Sequence, residues 1–548
     1  MNSNNCSVIK KYRIHFILIC FALANLTGGF QAFGQKPLNP PKDLGPQSQV
    51  ELLNTDSLNA DEINHTRTFY RNVIFRHRGV LLGCQMAVQN TLTNVIEAYG
   101  KIIINQGDSL TITGDTLFYE GNTRLARIYG KSVVLRDKKV TLRTTKMNYN
   151  LNNSQVYYPV YGTIMQDSSK LSSNEGYYNS RTKLFKYYGD VEILNKDFLI
   201  CTDSLDYDSN TKLAYFNSPT VIKSKDGDLK ANRGTYNIKT KKSVFQGRAM
   251  VVNESYTLEA DTLNFDNQTE SGLALGNVVF HSFEDSVKIL GNKGERFGDI
   301  GMTKIMGSAV VEQITGRDTL YMSADTLYAY ELKDSLASAP KTGAKKNDKK
   351  KEIKDLIAKG NVKVFRNDFQ SISDSLTYKV TDSMIVFTSD PVLWSKENQL
   401  EADTIRIYLK NNRLSSMKLF VNSFVVAVDT VRNFNQIKGR DIEALFDDQS
   451  ALHLINVEGN GESIYFALDD KNKMIGLNRV ECSKMRLRFR DRKVKQISFL
   501  GNPESKLIPP KEIGTNESKL DDFTWKIDQK PNKKMVLGSR SDYFNTQM

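Results

Sequence analysis

The stretch TLEADTLNFDNQTESGLALGNVVF, residues 257–280, contains two apolar pairs that are out of phase with each other. Leu258 and Ala260 alternate with polar neighbours, as do Leu263 and Phe265, but one residue too many separates the pairs. Alternation with period two marks a strand with one buried face. A one-residue slip turns the second pair outward unless the backbone bends or bulges between them. Asp261 and Thr262 stand at the slip, and their short side-chain oxygens suit a corner because they accept hydrogen bonds from nearby backbone N–H groups. The stretch reads as a strand bent at Asp261, a polar turn, and a further strand carrying Gly276.

The same phrase keeps returning. It begins at Asp115, Thr145, Asn174, Asp203, Asn232 and Asp261, at intervals of 30, 29, 29, 29 and 29 residues, and again at Asp325, Asp374 and Asp403. A weaker copy, ECSKMRLRF, starts at Glu481. Gly130, Gly189, Gly247 and Gly276 lie fifteen residues after four of these starts, and Pro219 and Pro391 take the glycine's place in two other units. Val191 and Ile193, Val278 and Phe280, and Val362 and Val364 then resume the alternation. Each unit is expected to form two or three short strands with one apolar face, the glycine serving a tight reversal. A single unit cannot bury that face, so successive units must stack. The expected fold is all-β, an elongated repeat array of stacked short antiparallel strands.

The ends divide the 548 residues further. Lys10, Lys11 and Arg13 precede an apolar run broken by His15, Asn25 and a Gly pair, and small residues then lead to Gly34. This is the pattern of a cleaved signal peptide over residues 1–34 rather than of a membrane anchor, which needs about 18 uninterrupted apolar residues. Residues 35–66 read as a polar linker, 67–335 as the β-repeat array, 336–358 as a Lys-rich disordered insertion, 359–505 as continuing repeats, and 506–548 as a polar C-terminal tail without the alternation of a membrane barrel.

Net charge is +13, but the leader supplies +3 and the run at 341–354 supplies +5, leaving +5 for everything else. No basic and aromatic stripe follows the repeats, which excludes nucleic acid as the expected partner. Cys84, Cys201 and Cys482 are too far apart and too few for a disulfide framework and read as packed thiols, with room for one adventitious bridge in an oxidising compartment, Cys482 aligning with Ala260 and Ala402 at a small-residue position. The recurring Asp is a corner residue in this reading, since calcium β-rolls use closely spaced Gly-Asp nonapeptides. Asp206 and Asp208 sit in a recurring polar turn, and His65, His77, His281 and His453 lack metal-ligand spacing. Neither a catalytic constellation nor a cofactor or metal site is expected, which weighs against a secreted polysaccharide-active β-solenoid enzyme. A surface scaffold or adhesin asks only for a stable array and remains the alternative.

The corner phrase, paired with GNV half a unit later behind a signal peptide, resembles the OstA-like, LptA-type family of periplasmic lipopolysaccharide-transport proteins. The resemblance runs from about Phe69 to Pro503 and is clearest in TDSLDYDSNTKLAYF from Thr202, in residues 259–280 and in ISDSLTY from Ile372. It implies a twisted β-jellyroll or β-taco whose apolar groove shields the lipid A acyl chains of lipopolysaccharide. The implied lining is Leu117, Tyr119, Leu205, Tyr207, Leu263, Phe265, Leu376, Tyr378 and Ile405. The implied partners, reached by strand-edge pairing, are an inner-membrane lipopolysaccharide extraction complex, an outer-membrane lipopolysaccharide translocon and further copies of the chain end to end. The implied location is the periplasm, with peripheral association at the outer membrane. The chain is several times longer than a minimal member of that family, and beyond Asp403 its intervals stretch to Arg440 and Ser483.

Overall fold

A computed structural model describes residues 49–543 except 108–109, 167, 226, 284–285, 316–317, 332–352, 412, 470, 491–492 and 541. The expected signal peptide, the start of the expected linker and most of the Lys-rich insertion lie outside the described residues. The protein is all-β and divides into two compact units, Met1–Asn253 and Glu254–Met548. In each, all strand pairing is antiparallel, and short helical segments occur only after residue 509 among the described residues.

The unit of construction is a hairpin. Tyr256–Asp266 pairs with Ser271–Ser282, Leu263 opposite Ala274 and Leu258 opposite Phe280. Register breaks between Glu259 and Thr262, the place where the apolar phase slips. The bulge there lets Ala260 and Leu263 both turn inward, and both are buried. Every long strand of the kind carries such a break, so each crosses from one wall of a folded sheet to the other and forms two half-strands around a crease. A repeat is therefore two bent strands rather than two or three short ones.

The glycines play a different part from the one expected. Gly276 (φ +73°) and Asn277 (φ 46°) are consecutive left-handed residues, but they do not reverse the chain. Ser271–Ser282 continues through them and pairs with Val287–Phe297 on both sides of the break. A Cβ on Gly276 would lie 2.3 Å from Asp261 Oδ2, while Asn277 Nδ2 donates to that oxygen at 2.9 Å. Asp325, Gly360 and Asn361 repeat the arrangement, with Asn361 Nδ2 donating at 3.0 Å. The Asp of one strand and the Gly-Asn of a following strand thus form one corner. At Pro219, which has no N–H to give a ladder, the strand is split into Leu213–Phe216 and Thr220–Ser224. Ser218 Oγ accepts there from the backbone N–H groups of Asp203 and Ser204, at 3.2 and 2.9 Å.

The residue before each corner points into the crease and is small. Ala231, Ala260, Ala324, Ala402 and Cys482 are all buried at this place. Cys84 and Cys482 are buried free thiols, as expected, and Cys201 is buried as well. At the hairpin ends Asn179, Asp208, Asn237 and Asp266 each accept a backbone N–H two residues on, at 2.8 to 3.0 Å. Neighbouring turns are joined by Ser209 N–H to Lys183 O at 3.2 Å and Ile238 N–H to Lys212 O at 2.9 Å. The 29-residue period is the step from one such turn to the next.

Three boundaries differ from the sequence reading. Within the expected linker, Glu51–Asn54 and Ser57–Asp61 pair with Thr66–His77. Their exposure explains the polar composition. The strand Ile353–Arg366 begins inside the stretch read as the insertion. The tail after residue 506 is docked on the second unit. Leu520, Phe523 and Trp525 pack with Phe424, Phe434 and Leu477, and Val536 and Leu537 of the helix Lys533–Leu537 pack on Val310 and Tyr321. Gln436 donates to Ser518 O at 2.9 Å and accepts Leu520 N–H at 2.8 Å. Gln399 does the same with Thr524 O and Lys526 N–H, both at 2.8 Å. Few apolar residues are needed for this docking, so hydropathy does not reveal it.

Candidate functional site

Opposite residues on paired strands share a face, so the register identifies which side chains line the interior between the walls. In the first unit the layers up to about residue 187 are closed. Tyr119, Ile128, Leu135, Tyr149 and Tyr158 show no exposure at all. At the mouth, away from the crease, a rung joins the two walls in three places among the described residues. His77 Nδ1 and Tyr119 OH share a hydrogen bond at 2.6 Å. Tyr149 OH donates to Gln106 Oε1, and Tyr178 OH donates to Asp137 Oδ2 at 2.5 Å. Lys183 forms an ion pair with the same carboxylate, whose side chain is 1% exposed. Burial pushes the Tyr119 phenol up to about 12. Tyr178 is raised further by burial and by the Asp137 carboxylate it faces.

From residue 191 to 252 the same unit changes character. Near the crease Val191, Ile200, Leu205, Phe216 and Phe245 are still buried, but toward the mouth Ile193, Phe198, Ile222, Leu229, Tyr236 and Val251 are only half-buried. Phe198 and Tyr236, from opposite walls, meet edge to face at 6.2 Å. Here the sheet is a trough with a packed floor and an apolar mouth.

The second unit begins with a similar trough. Ala260, Leu263, Ala274 and Val278 fill its floor, while Tyr256, Leu258, Phe280 and Ile289 are half-buried above them. Phe265, on the face of Leu263, is 42% exposed. Tyr256 and Phe280 lie 5.5 Å apart. At the mouth Arg296 ion-pairs with Glu331 at 2.7 Å and donates to Thr303 at 3.1 Å. Farther along, a continuous core built on Val362, Leu393, Ile405, Leu419 and Val457 closes the interior again.

The nine residues expected to line a groove all fall on the inner face, in three settings. Leu117 and Tyr119 belong to the closed layers, and Leu376 and Ile405 to the closed core of the second unit. Tyr378 is half-buried. Leu205 and Tyr207 lie in the first trough, and Leu263 and Phe265 in the second. Sequence reasoning missed the other halves of the two troughs, among them Phe198, Ile222, Leu229, Tyr256 and Phe280. These fall in half-strands flanking the corner phrase, and their alternation was the available signal. Among the described residues no group of three or more His, Cys, Asp or Glu could hold a metal ion. No described helix is long and apolar enough to cross a membrane.

The family description "OstA-like protein" fits residues 47–203 and 197–261. "LptA/(LptD N-terminal domain) LPS transport protein" fits residues 311–413. Among solved structures, the crystal structure of LptH, the LptA homologous periplasmic component of the lipopolysaccharide transport device of Pseudomonas aeruginosa, is similar over 27% of this chain and 97% of that chain. Sequence identity is 11% and the TM-score 0.19, a superposition too loose to carry an argument. No curated protein matches the chain.

Proposed function

We propose, from the premise that the chain belongs to the OstA-like, LptA-type family, that it is a non-enzymatic periplasmic bridge protein that shields lipid A acyl chains of lipopolysaccharide on their way to the outer membrane. The observation that carries this reading is the half-buried apolar mouth of the two troughs. Inward-facing Phe265, Phe280, Ile222 and Leu229 retain accessible apolar surface that a packed core would have covered. Covering it with an acyl chain gains about 0.8 kcal/mol per methylene removed from water. Leu263 and Leu205 would form the floor beneath such a chain, and Tyr207 a side.

Partners would join at strand edges. Among the described residues, Glu51–Asn54 and Ser57–Asp61, with Leu52, Leu53 and Leu58 exposed, and Lys493–Leu500 and Glu504–Ile508, with Leu500 and Leu507 exposed, are the outermost strands of their units. Unpaired N–H and C=O groups of this kind recruit a further strand. The inner-membrane extraction complex, the outer-membrane translocon and a second copy of the chain are the partners proposed for them.

Photo-crosslinking in living cells tests the lipid reading. A photoreactive residue at Phe265 should yield a lipopolysaccharide adduct, and one at Asn267 in the outer turn should not. A folded, well-expressed protein that gives no adduct at Phe265, Phe280 or Leu229 would refute it. The second reading, a surface scaffold or adhesin, is favoured by the closed layers, where the protein's own side chains fill the interior.

A further inference from the structure

We infer that in the first unit the acyl-chain path stops at the Asp137–Tyr178–Lys183 bridge, so that residues 66–187 are a sealed block and only residues 191–252 take a chain. This rests on the groove reading above and narrows it. The three rungs, His77 with Tyr119, Gln106 with Tyr149 and Asp137 with Tyr178, are hydrogen bonds that join opposite walls at the mouth, the first and last of them buried and the middle one half-buried. They follow one another a hairpin apart. Next to them Val80, Leu110 and Val140, at the strand ends where a mouth would gape, are buried as well. A lipid tail entering from the side would have to remove a rung and strand its polar atoms in an apolar interior.

The Asp137–Tyr178 rung is the strongest stop among the described residues. Asp137 is 2% exposed, and besides Tyr178 it holds the Lys183 ammonium, which itself donates to Tyr178 OH at 3.2 Å. A tail advancing along the trough from residue 252 meets a buried, paired charge instead of more hydrocarbon. Two repeats onward, Tyr236 holds the place of Tyr178. Tyr236 faces Phe198. An aromatic contact stands where the earlier layers have a hydrogen-bonded rung, and Ile222, Leu229 and Val251 are left half-covered around it.

The test uses the full-length wild-type protein, so no variant has to fold. It is incubated with a hexadecyl phosphate carrying a diazirine near the tail end, irradiated, digested and mapped by mass spectrometry. Labelled peptides are expected within residues 191–252 and not within 66–187. Label inside 66–187 overturns the stop while leaving the groove reading standing. Label confined to residues beyond 254 likewise overturns the assignment of a chain site to 191–252. No label anywhere on the chain, with a fatty-acid-binding control protein labelled in parallel, removes the groove reading itself.

Discussion

Asn277 Nδ2 donates to Asp261 Oδ2 at 2.9 Å, across two strands, directly over a Gly276 whose missing Cβ is the space the carboxylate occupies. The corner is thus built from both strands at once. Gly276→Ala places a side chain at φ +73° and against Asp261 Oδ2, and we expect it to cost about 1–2 kcal/mol from backbone strain alone. Asp261→Ala should cost about 1 kcal/mol through the lost hydrogen bond. Combined, the two changes should cost less than their sum, since the carboxylate no longer obstructs the new methyl group. Urea unfolding of the four proteins measures the coupling.

Lys183→Met removes the cation beside a fully buried Asp137 carboxylate. Loss of one partner from a buried pair costs about 3–5 kcal/mol, and the partial exposure of Lys183 places this variant at the lower end. Asp137→Asn, which keeps an acceptor for Tyr178 and removes the charge, should be milder. Thermal melting followed by circular dichroism ranks the two, and a larger loss in Asp137→Asn would contradict the assigned role of the ion pair.

The Tyr119 phenol, pushed up to about 12 by burial, ionises later in the folded chain than in the unfolded one. The folded state therefore favours the neutral phenol, a contribution complete below the ordinary tyrosine range near 10 and lost as pH rises through about 12. The stability gap between wild type and Tyr119→Phe should stay level from neutral pH to about pH 10 and shift against the wild type above it. Denaturant titrations at stepped alkaline pH read this directly.

Gln399 and Gln436 hold the C-terminal segment by gripping its backbone N–H and C=O together. Replacing either with Ala leaves buried backbone groups without partners, at a cost of about 1–3 kcal/mol. Limited proteolysis should then cut first between residues 513 and 530 while the repeats stay intact. Cleavage that begins in the repeats would show that the segment does not depend on these glutamines.

The corners were legible because a bulge leaves a trace in the one-dimensional pattern, a slip of phase between Ala260 and Leu263 that no straight strand tolerates. The rungs were not. His77 and Tyr119 lie 42 residues apart, Gln106 and Tyr149 43, and Asp137 and Tyr178 41. These separations are about one and a half repeats, so comparing copies at 29 residues never places the partners together. Two coupled series, polar residues at 77, 106 and 137 and tyrosines at 119, 149 and 178, were the only signal. The docking of Leu520 and Trp525 was hidden for another reason, because isolated apolar residues in a polar stretch have no period to read. Phe265 shows a third limit, since alternation gives the face a side chain occupies and not how much of it the neighbours cover.

Because a repeat is a pair of bent strands, duplication or loss of one whole repeat restores the chain to the same wall, heading the same way, with inside still inside. Half a repeat does none of this. It would deliver the following strand to the opposite wall and place the Asp of each corner where its neighbour needs Gly-Asn. The protein can therefore change length in evolution only in whole hairpins, and the number of layers becomes a heritable quantity that varies by twos.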